Sequence, residues 1–385
     1  MAELPRGFRL LVVVTTLGLG GTERHLAAVL PELAARGARI RVVALRPDRE
    51  MADVLAGRGI AVHTVRSGRG RLGPVAGFFA VLWHALAFRP HAAHFFLPEA
   101  YLVGGLATLV VGPNRRVMSR RGLNTYAAAH PRAAGIERWL HRRMDAVLGN
   151  SRAVCDELAA EGAPAERIAL IPNGVVTGPA GTPREAVRAR LGIAPDALVI
   201  LCVANLLPYK GHADLIEAFA RARAALPNAV LVLAGRDDGL GVAVMAQAEA
   251  RAVIDHVRIL GPRDDVPDLI GAADLFALAS HEEGAPNAVI EAMAAGLPAV
   301  LTAVGGTPET IGAAGLLVPP HDPAALAEAL VRLGSDTALR AALGRSAAAR
   351  AAERFSLEAC VARYVALYAG LAAGRAAAAI LPREA

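Results

Sequence analysis

Lysine is nearly missing from this sequence: among 41 strongly basic residues in a chain of 385, only Lys210 carries an ammonium group, and the rest are arginine. Aromatic residues are scarce too, at 4%, while alanine supplies much of the 54% hydrophobic content. That mixture favours helices packed closely on sheets. Cysteine is limited to Cys155, Cys202 and Cys360, far apart and without C-x-x-C spacing. This excludes a disulfide framework or thiolate metal cluster and fits a reducing, cytoplasmic compartment. No apolar run reaches the roughly 20 residues of a membrane span. The most suspicious stretch, "AYLVGGLATLVVG" at Ala100–Gly112, is too short, and the start of the chain lacks a signal-peptide cleavage pattern. There is no Asp-x-Asp motif, no metal-spaced His/Cys cluster and no G-x-S-x-G, so metal-bridged catalysis has no support. Fixed-period repeats and low-complexity tails are absent as well.

Short apolar runs do alternate with helical patterns through both halves. The first half offers strands at 9–16, 39–45, 60–65, 92–96, 115–119, 145–150 and 167–172. The second offers 197–205, 229–235, 257–261, 274–280 and 298–303. Strands apolar on both faces with helices between them imply parallel sheets. The expectation is therefore α/β: two doubly wound, Rossmann-like domains at 1–176 and 177–355, joined in "PNGVVTGPAGTPRE" (Pro172–Glu185), with a closing helical segment at 356–385. Ligands of such sheets bind beyond the carboxyl ends of the strands, which makes the cleft between the domains the default site. Through Val175 the chain holds 23 arginines against 13 acidic residues, and the remainder is net acidic. A basic first half can face anionic lipid, nucleic acid or a phosphorylated acceptor, and an arginine-rich solvated surface reads the same way.

Lys210 lies in "VANLLPYKGHADLIEAF", where a strand hands over to a helix. In the first turn of a helix a cation opposes the macrodipole by about 0.3–1 kcal/mol. An anionic ligand reverses the sign, since a unit charge pair at about 4 Å near a surface is worth on the order of 4 kcal/mol before desolvation. Phosphate ligand and solvated turn both remain open on this evidence. Farther on, "SHEEGAPNAVIEAMAAGLPAV" (Ser280–Val300) reads as loop then helix, with Pro286 at the first helical position and Gly296 at the end. Glu283 sits in the loop and Glu291 about a turn and a half into the helix. One can meet sugar hydroxyls or positive charge developing at an anomeric carbon, and the other can accept from vicinal ribose hydroxyls. A surface charge and a helix salt bridge explain the same two residues.

Near the start, "TTLGLGGTERHLAAVL" places Gly18, Gly20 and Gly21 between a strand and a helix, a partial dinucleotide fingerprint with no well-placed ribose acid after the next strand. "VGGTPETI" repeats the strand-glycine-acid arrangement with Glu309. Together these pieces resemble a retaining glycosyltransferase of the GT-B type, family 4, the glycosyl transferases group 1. The resemblance rests on K-G at Lys210, on Glu283 and Glu291 within E-G-x-P and E-A-M-A-x-G-x-P, and on G-G-x-P-E. First-half support comes from the glycine loop, "NSRAVCDEL" and "RIALIPNGV".

The resemblance implies transfer of a hexosyl or N-acetylhexosaminyl group from a UDP- or GDP-linked donor to a saccharide or lipid-linked acceptor, with retention. It implies polysaccharide, lipopolysaccharide or glycolipid biosynthesis, with no metal, no further cofactor and no nucleic-acid partner. By the same analogy Lys210 binds the diphosphate and Glu291 the ribose. Glu283 contacts the sugar, helped by backbone from Gly284, Ala285, Pro286, Asn287 and Ala288. Pro262 and Arg263 lie near the base, and Gly20 and Gly21 approach the diphosphate or sugar. Two departures stand out. Asn205 and Leu207 occupy positions where relatives carry arginine, so another arginine, such as Arg121, must supply the charge. Arg121 itself stands where many members have histidine, leaving His94 as a substitute or as an ordinary core histidine. A catalytically idle nucleotide-sugar binder and a UDP-sugar epimerase of the same fold stay open as alternatives. The segment "RAAGIERWLHRRM" lines up Ile136, Trp139, Leu140 and Met144 opposite Arg138 and Arg142. That suits peripheral contact with the inner membrane face, and equally a helix covering the sheet.

Overall fold

The computed structural model describes residues 3–18, 20–48, 50–65, 72–123, 130–176 and 180–382. Thr177, Gly178 and Pro179, at the expected domain junction, lie outside the described residues. By packing, the chain divides into two compact units, Met1–Gly174 with Leu357–Ala385, and Val175–Ser356.

Among the described residues the first unit holds seven strands: β1 (Arg9–Val14), β2 (Arg39–Ala44), β3 (Ala61–Thr64), β4 (Ala92–Phe96), β5 (Arg115–Arg120), β6 (Ala146–Gly149) and β7 (Ile168–Leu170). Their order is β3-β2-β1-β4-β5-β6-β7, and every pairing is parallel. The Val/Leu-rich β1 is buried on both faces from Leu10 to Val14 because helices cover both sides. One face packs on the helices Gly21–Ala35 and Leu357–Ala372, the latter contributing Val361, Tyr364, Val365 and Tyr368 to the core. The other face packs on Gly73–Phe88 and Pro98–Val110 through Val81, Tyr101, Val103 and Ala107. The suspicious apolar run at 100–112 is thus most of a covering helix, Pro98–Val110. No helix among the described residues is long and apolar enough to cross a membrane.

The second unit holds β8 (Leu198–Val203), β9 (Ala229–Ala234), β10 (Val257–Ile259), β11 (Leu275–Leu278), β12 (Ala299–Thr302) and β13 (Leu316–Val318) among the described residues. The order is β10-β9-β8-β11-β12-β13, again all parallel. β13 is absent from the strands read off the sequence: three residues give no measurable alternation. In each sheet the order reverses once, between β1 and β4 and between β8 and β11. The loops leaving those strands diverge there and open a crevice at the carboxyl edge.

Candidate functional site

In the second unit the chain leaves β8, passes through Asn205 and a single 3-10 turn, Pro208–Lys210, and enters the helix His212–Ala222. Lys210 therefore precedes the helix rather than occupying its first turn. Gly211 makes the join with φ +65. A Cβ there would collide with the carbonyl of Ala279, so only glycine lets this turn lie against the end of β11. The His281 amide then donates to the Tyr209 carbonyl at 2.7 Å, fastening the loops after β8 and β11 together.

That close approach brings Lys210 Nζ to 2.6 Å from Glu283 Oε1, with the two side chains 18% and 8% exposed. Ser280, wholly buried, donates its hydroxyl to the same oxygen at 2.7 Å. The Thr302 hydroxyl donates to the Ser280 carbonyl. Gly306, in the G-G-x-P-E loop after β12, donates its amide to the Glu283 carbonyl at 3.2 Å. Three sequence signals, at Lys210, Glu283 and the G-G-x-P-E loop, thus converge at the crevice between β8 and β11. The pair sits beside Cys202, whose thiol burial pushes up to about 12 against the pull of Lys210. It is inert at neutral pH. His212 is held down to about 4, mainly by burial and then by the Lys210 charge, and stays neutral.

The remaining donor residues fall around this core. Pro286 is the N-cap of the helix Asn287–Ala294, with φ −74 and ψ 113, not its first helical residue. Its carbonyl accepts from Val289 and Ile290, which begins the helix one residue later than the sequence suggests. Gly284, Ala285, Asn287 and Ala288 form the loop and first turn, and Glu291 is half-buried on that helix. Asn205, which stands where the resemblance implies arginine, accepts the Arg236 amide at 3.1 Å through Oδ1. Arg236, overlooked in the sequence, follows β9 and forms a fork with Asp238 at 2.7 and 3.1 Å. A cation one residue past "VLVLAG" was the available signal. Arg263, next to Pro262, is clamped in both directions by Asp265, at 2.7 and 2.6 Å, so its guanidinium is engaged locally.

In the first unit Gly20 caps the helix Gly21–Ala35, and a Cβ on it would strike the Glu23 carboxylate. The bareness of Gly20 is thus used by a buried side chain of its own helix. Gly21, the first residue of the helix, is exposed. Arg121, just past β5, donates to Asn173 Oδ1 and to the Tyr364 hydroxyl. His94 carried two readings, ligand and core group. It lies in the middle of β4, fully buried, with Nδ1 2.7 Å from the Tyr368 hydroxyl and Nε2 2.8 Å from Ser119 Oγ. Burial first, and Arg121 second, hold it well below the usual histidine range. Both ring nitrogens are thus engaged within the first unit, in keeping with the core reading. The Ile136/Trp139/Leu140/Met144 stripe also divides: Leu140 and Met144 are core, while Ile136 and Trp139 are exposed.

The exposed pair belongs to a larger apolar face. The helix Gly73–Phe88 contains no charged residue, and Leu72, Val75, Phe79, Trp83 and Leu86 along it are exposed. A groove of about 820 Å³ separates it from Pro98–Val110, and a second hollow of about 560 Å³ lies between Leu106 and Ile136/Trp139, with Arg132 at its side. Arg143 stacks on Trp139 at 3.5 Å.

Known proteins resemble the chain along nearly all its length. The family described as "Glycosyltransferase Family 4" matches residues 19–178, and "Glycosyl transferases group 1" matches residues 183–350. A D-inositol 3-phosphate glycosyltransferase of Streptomyces bingchenggensis is 34% identical over 241 residues, 58% of this chain and 52% of that protein. The match to this relative therefore spans about half its length. A protein of the same description from Kineococcus radiotolerans is 29% identical over 375 residues, 86% of each chain. Among solved structures, Anabaena HepE in complex with UDP and glucose superposes with a TM-score of 0.82 at 24% identity, covering 93% of this chain and 98% of the other.

Proposed function

Because the chain belongs to the glycosyl transferases group 1, glycosyltransferase family 4, and folds as a two-unit GT-B protein, we propose that it transfers a sugar from a nucleotide diphosphate donor to a hydroxyl acceptor. Retention at the anomeric carbon and independence of metal are part of this reading. The observation that carries it is the Lys210–Glu283 pair at the sheet crevice. A single ammonium, 18% exposed, is neutralised by a carboxylate that two loops and Ser280 hold in place. An arriving diphosphate takes up the ammonium, and Glu283, already oriented by Ser280, turns to the donor sugar. Glu291 accepts from the ribose, and backbone from Gly284 to Ala288 lines the phosphates. UDP is favoured as the carrier by the HepE complex, and an inositol phosphate or related polyol is one acceptor suggested by the curated relatives.

The apolar face on Gly73–Phe88, Pro98–Val110 and Pro131–His141 supports a lipid-linked acceptor met at an anionic bilayer surface. Exposed aromatics would enter the headgroup boundary while Arg132 and Arg143 meet phosphates. A thermal-shift panel of UDP, GDP and their common sugars, followed by transfer assays with the best donor, tests the proposal. A selective rise in Tm with transfer to a polyol or lipid acceptor is expected. A chain that no nucleotide stabilises would overturn it, and stabilisation without transfer to any acceptor would make the protein a binder alone.

A further inference from the structure

A cluster outside the pair just described is assembled from three segments of the second unit. Asp214 stands in the first turn of the helix His212–Ala222, His281 in the loop after β11, and His321 in the turn before the helix Pro323–Ser335. His281 Nε2 is 2.8 Å from Asp214 Oδ2, and His321 Nδ1 is 4.0 Å from the same oxygen. The two imidazole rings lie with centroids 3.7 Å apart, tilted by 37°. One ligand atom from each residue falls within 4.8 Å of the others.

From these three side chains we propose a binding site for a divalent transition-metal ion of the zinc class. Zinc takes imidazole nitrogen at about 2.0–2.1 Å and carboxylate oxygen at about 2.0–2.2 Å, which sets ligand atoms of a tetrahedron about 3.3 Å apart. The His281–Asp214 hydrogen bond at 2.8 Å and the 4.0 Å separation of His321 from the same carboxylate oxygen bracket that value, and an entering ion would replace the proton held between the first two. Two nitrogens and one oxygen select zinc, nickel or copper over magnesium or calcium, which prefer all-oxygen shells. His321 holds a left-handed backbone with φ +58, a conformation that glycine adopts more readily than histidine. Its ring, 67% exposed, lies against a second imidazole. The sequence hides the set because its members are far apart in the chain and follow no metal spacing. Three protein ligands leave coordination positions for water, and an ion there would tie the loop that carries Ser280 and Glu283 to two helices. The inference stands apart from the glycosyl-transfer reading.

The test titrates zinc chloride alone into the full chain after chelator treatment, reading Tm and bound zinc per chain, with magnesium chloride in parallel. One ion per chain and a zinc-dependent rise in Tm are expected, with no response to magnesium. His321→Ala and Asp214→Asn each weaken zinc binding by at least about tenfold with the zinc-free Tm nearly unchanged. Rescue by His321→Cys, which restores a soft ligand, supports a coordinating role. No zinc-dependent shift, an equal shift with magnesium, or undiminished affinity in both single variants would overturn it.

Discussion

The two units share one architecture and use its crevice differently. Both are parallel sheets whose strand order reverses once, between β1 and β4 in one and between β8 and β11 in the other. At the second reversal the chain leaves an ion pair, Lys210 with Glu283, on loops. Around β4 and β5 in the first unit it installs a buried polar network instead. His94 bridges Tyr368 and Ser119, His25 reaches the Tyr364 hydroxyl at 3.2 Å, and Arg121 joins Tyr364 to Asn173. Two of these partners come from Leu357–Ala372, a helix at the far end of the sequence. The same fold therefore keeps exchangeable charge at one strand end and ties buried polar groups to one another at the other. Variants in the second unit should lose ligand binding, and variants in the first should lose stability.

Acid should separate the units most strongly. His25 and His94 are held well below the ordinary histidine value, chiefly by burial, and His84 is lowered to about 4 by burial and then by His63. All three are in the first unit. Such groups stay neutral when folded and gain protons on unfolding, so below about pH 6.5 the unfolded chain binds more protons. Their contribution is complete above about pH 6.5 and declines toward pH 4, by about 1.4 kcal/mol per pH unit for each fully affected histidine. The second unit has His212 in the same window. Its depressed carboxylates act lower: Asp265, held down first by Arg263, and Asp237, held down first by the Gly241 amide, lose their contribution only below about pH 3.8. Both tryptophans, Trp83 and Trp139, lie in the first unit. Urea titrations followed by fluorescence should show that unit weakening between about pH 6.5 and 5, before far-UV ellipticity reports the second.

His94→Ala should come next in size. It strands the Tyr368 hydroxyl and Ser119 in a fully buried place, at about 1–3 kcal/mol for each unsatisfied group, while nucleotide affinity of the remaining folded protein is unchanged. Urea midpoints and calorimetric nucleotide titration check the two halves of that statement. Glu291→Gln should do the reverse, weakening donor binding by about 1–3 kcal/mol with little change in Tm. Comparing UDP with ribose-free diphosphate isolates the ribose contribution, since only UDP should respond. Smaller still, Phe79→Ser with Trp83→Ser should reduce sedimentation with phosphatidylglycerol vesicles several-fold without altering turnover on a soluble acceptor. Undiminished vesicle binding would confine the apolar face to another role.

Strands were readable because parallel sheets covered on both faces write continuous apolar runs, as "RLLVVV" does for β1. Three-residue β13 fell below that signal. Lys210, Glu283 and the G-G-x-P-E loop were each visible as punctuation between a strand and a helix, yet their joining was not. It depends on Gly211 letting one loop touch another, 73 residues from Lys210 to Glu283. His94 stayed open in the sequence for a related reason: its partner Tyr368 lies 274 residues away, and nothing local distinguishes a satisfied histidine from an available one. Arg236 carried no motif of its own, and its approach to Asn205 depends on pairing across 31 residues.

The most direct test of the account is calorimetric titration of UDP and GDP into the native chain and into Lys210→Ala. Loss of the ammonium should weaken the better-bound nucleotide by roughly 10- to 100-fold in a chain that remains folded, with a shallower dependence on salt and a urea midpoint lowered by the unpaired Glu283 carboxylate. Equal affinity in the two proteins would contradict the assignment of the chain's one lysine to the diphosphate.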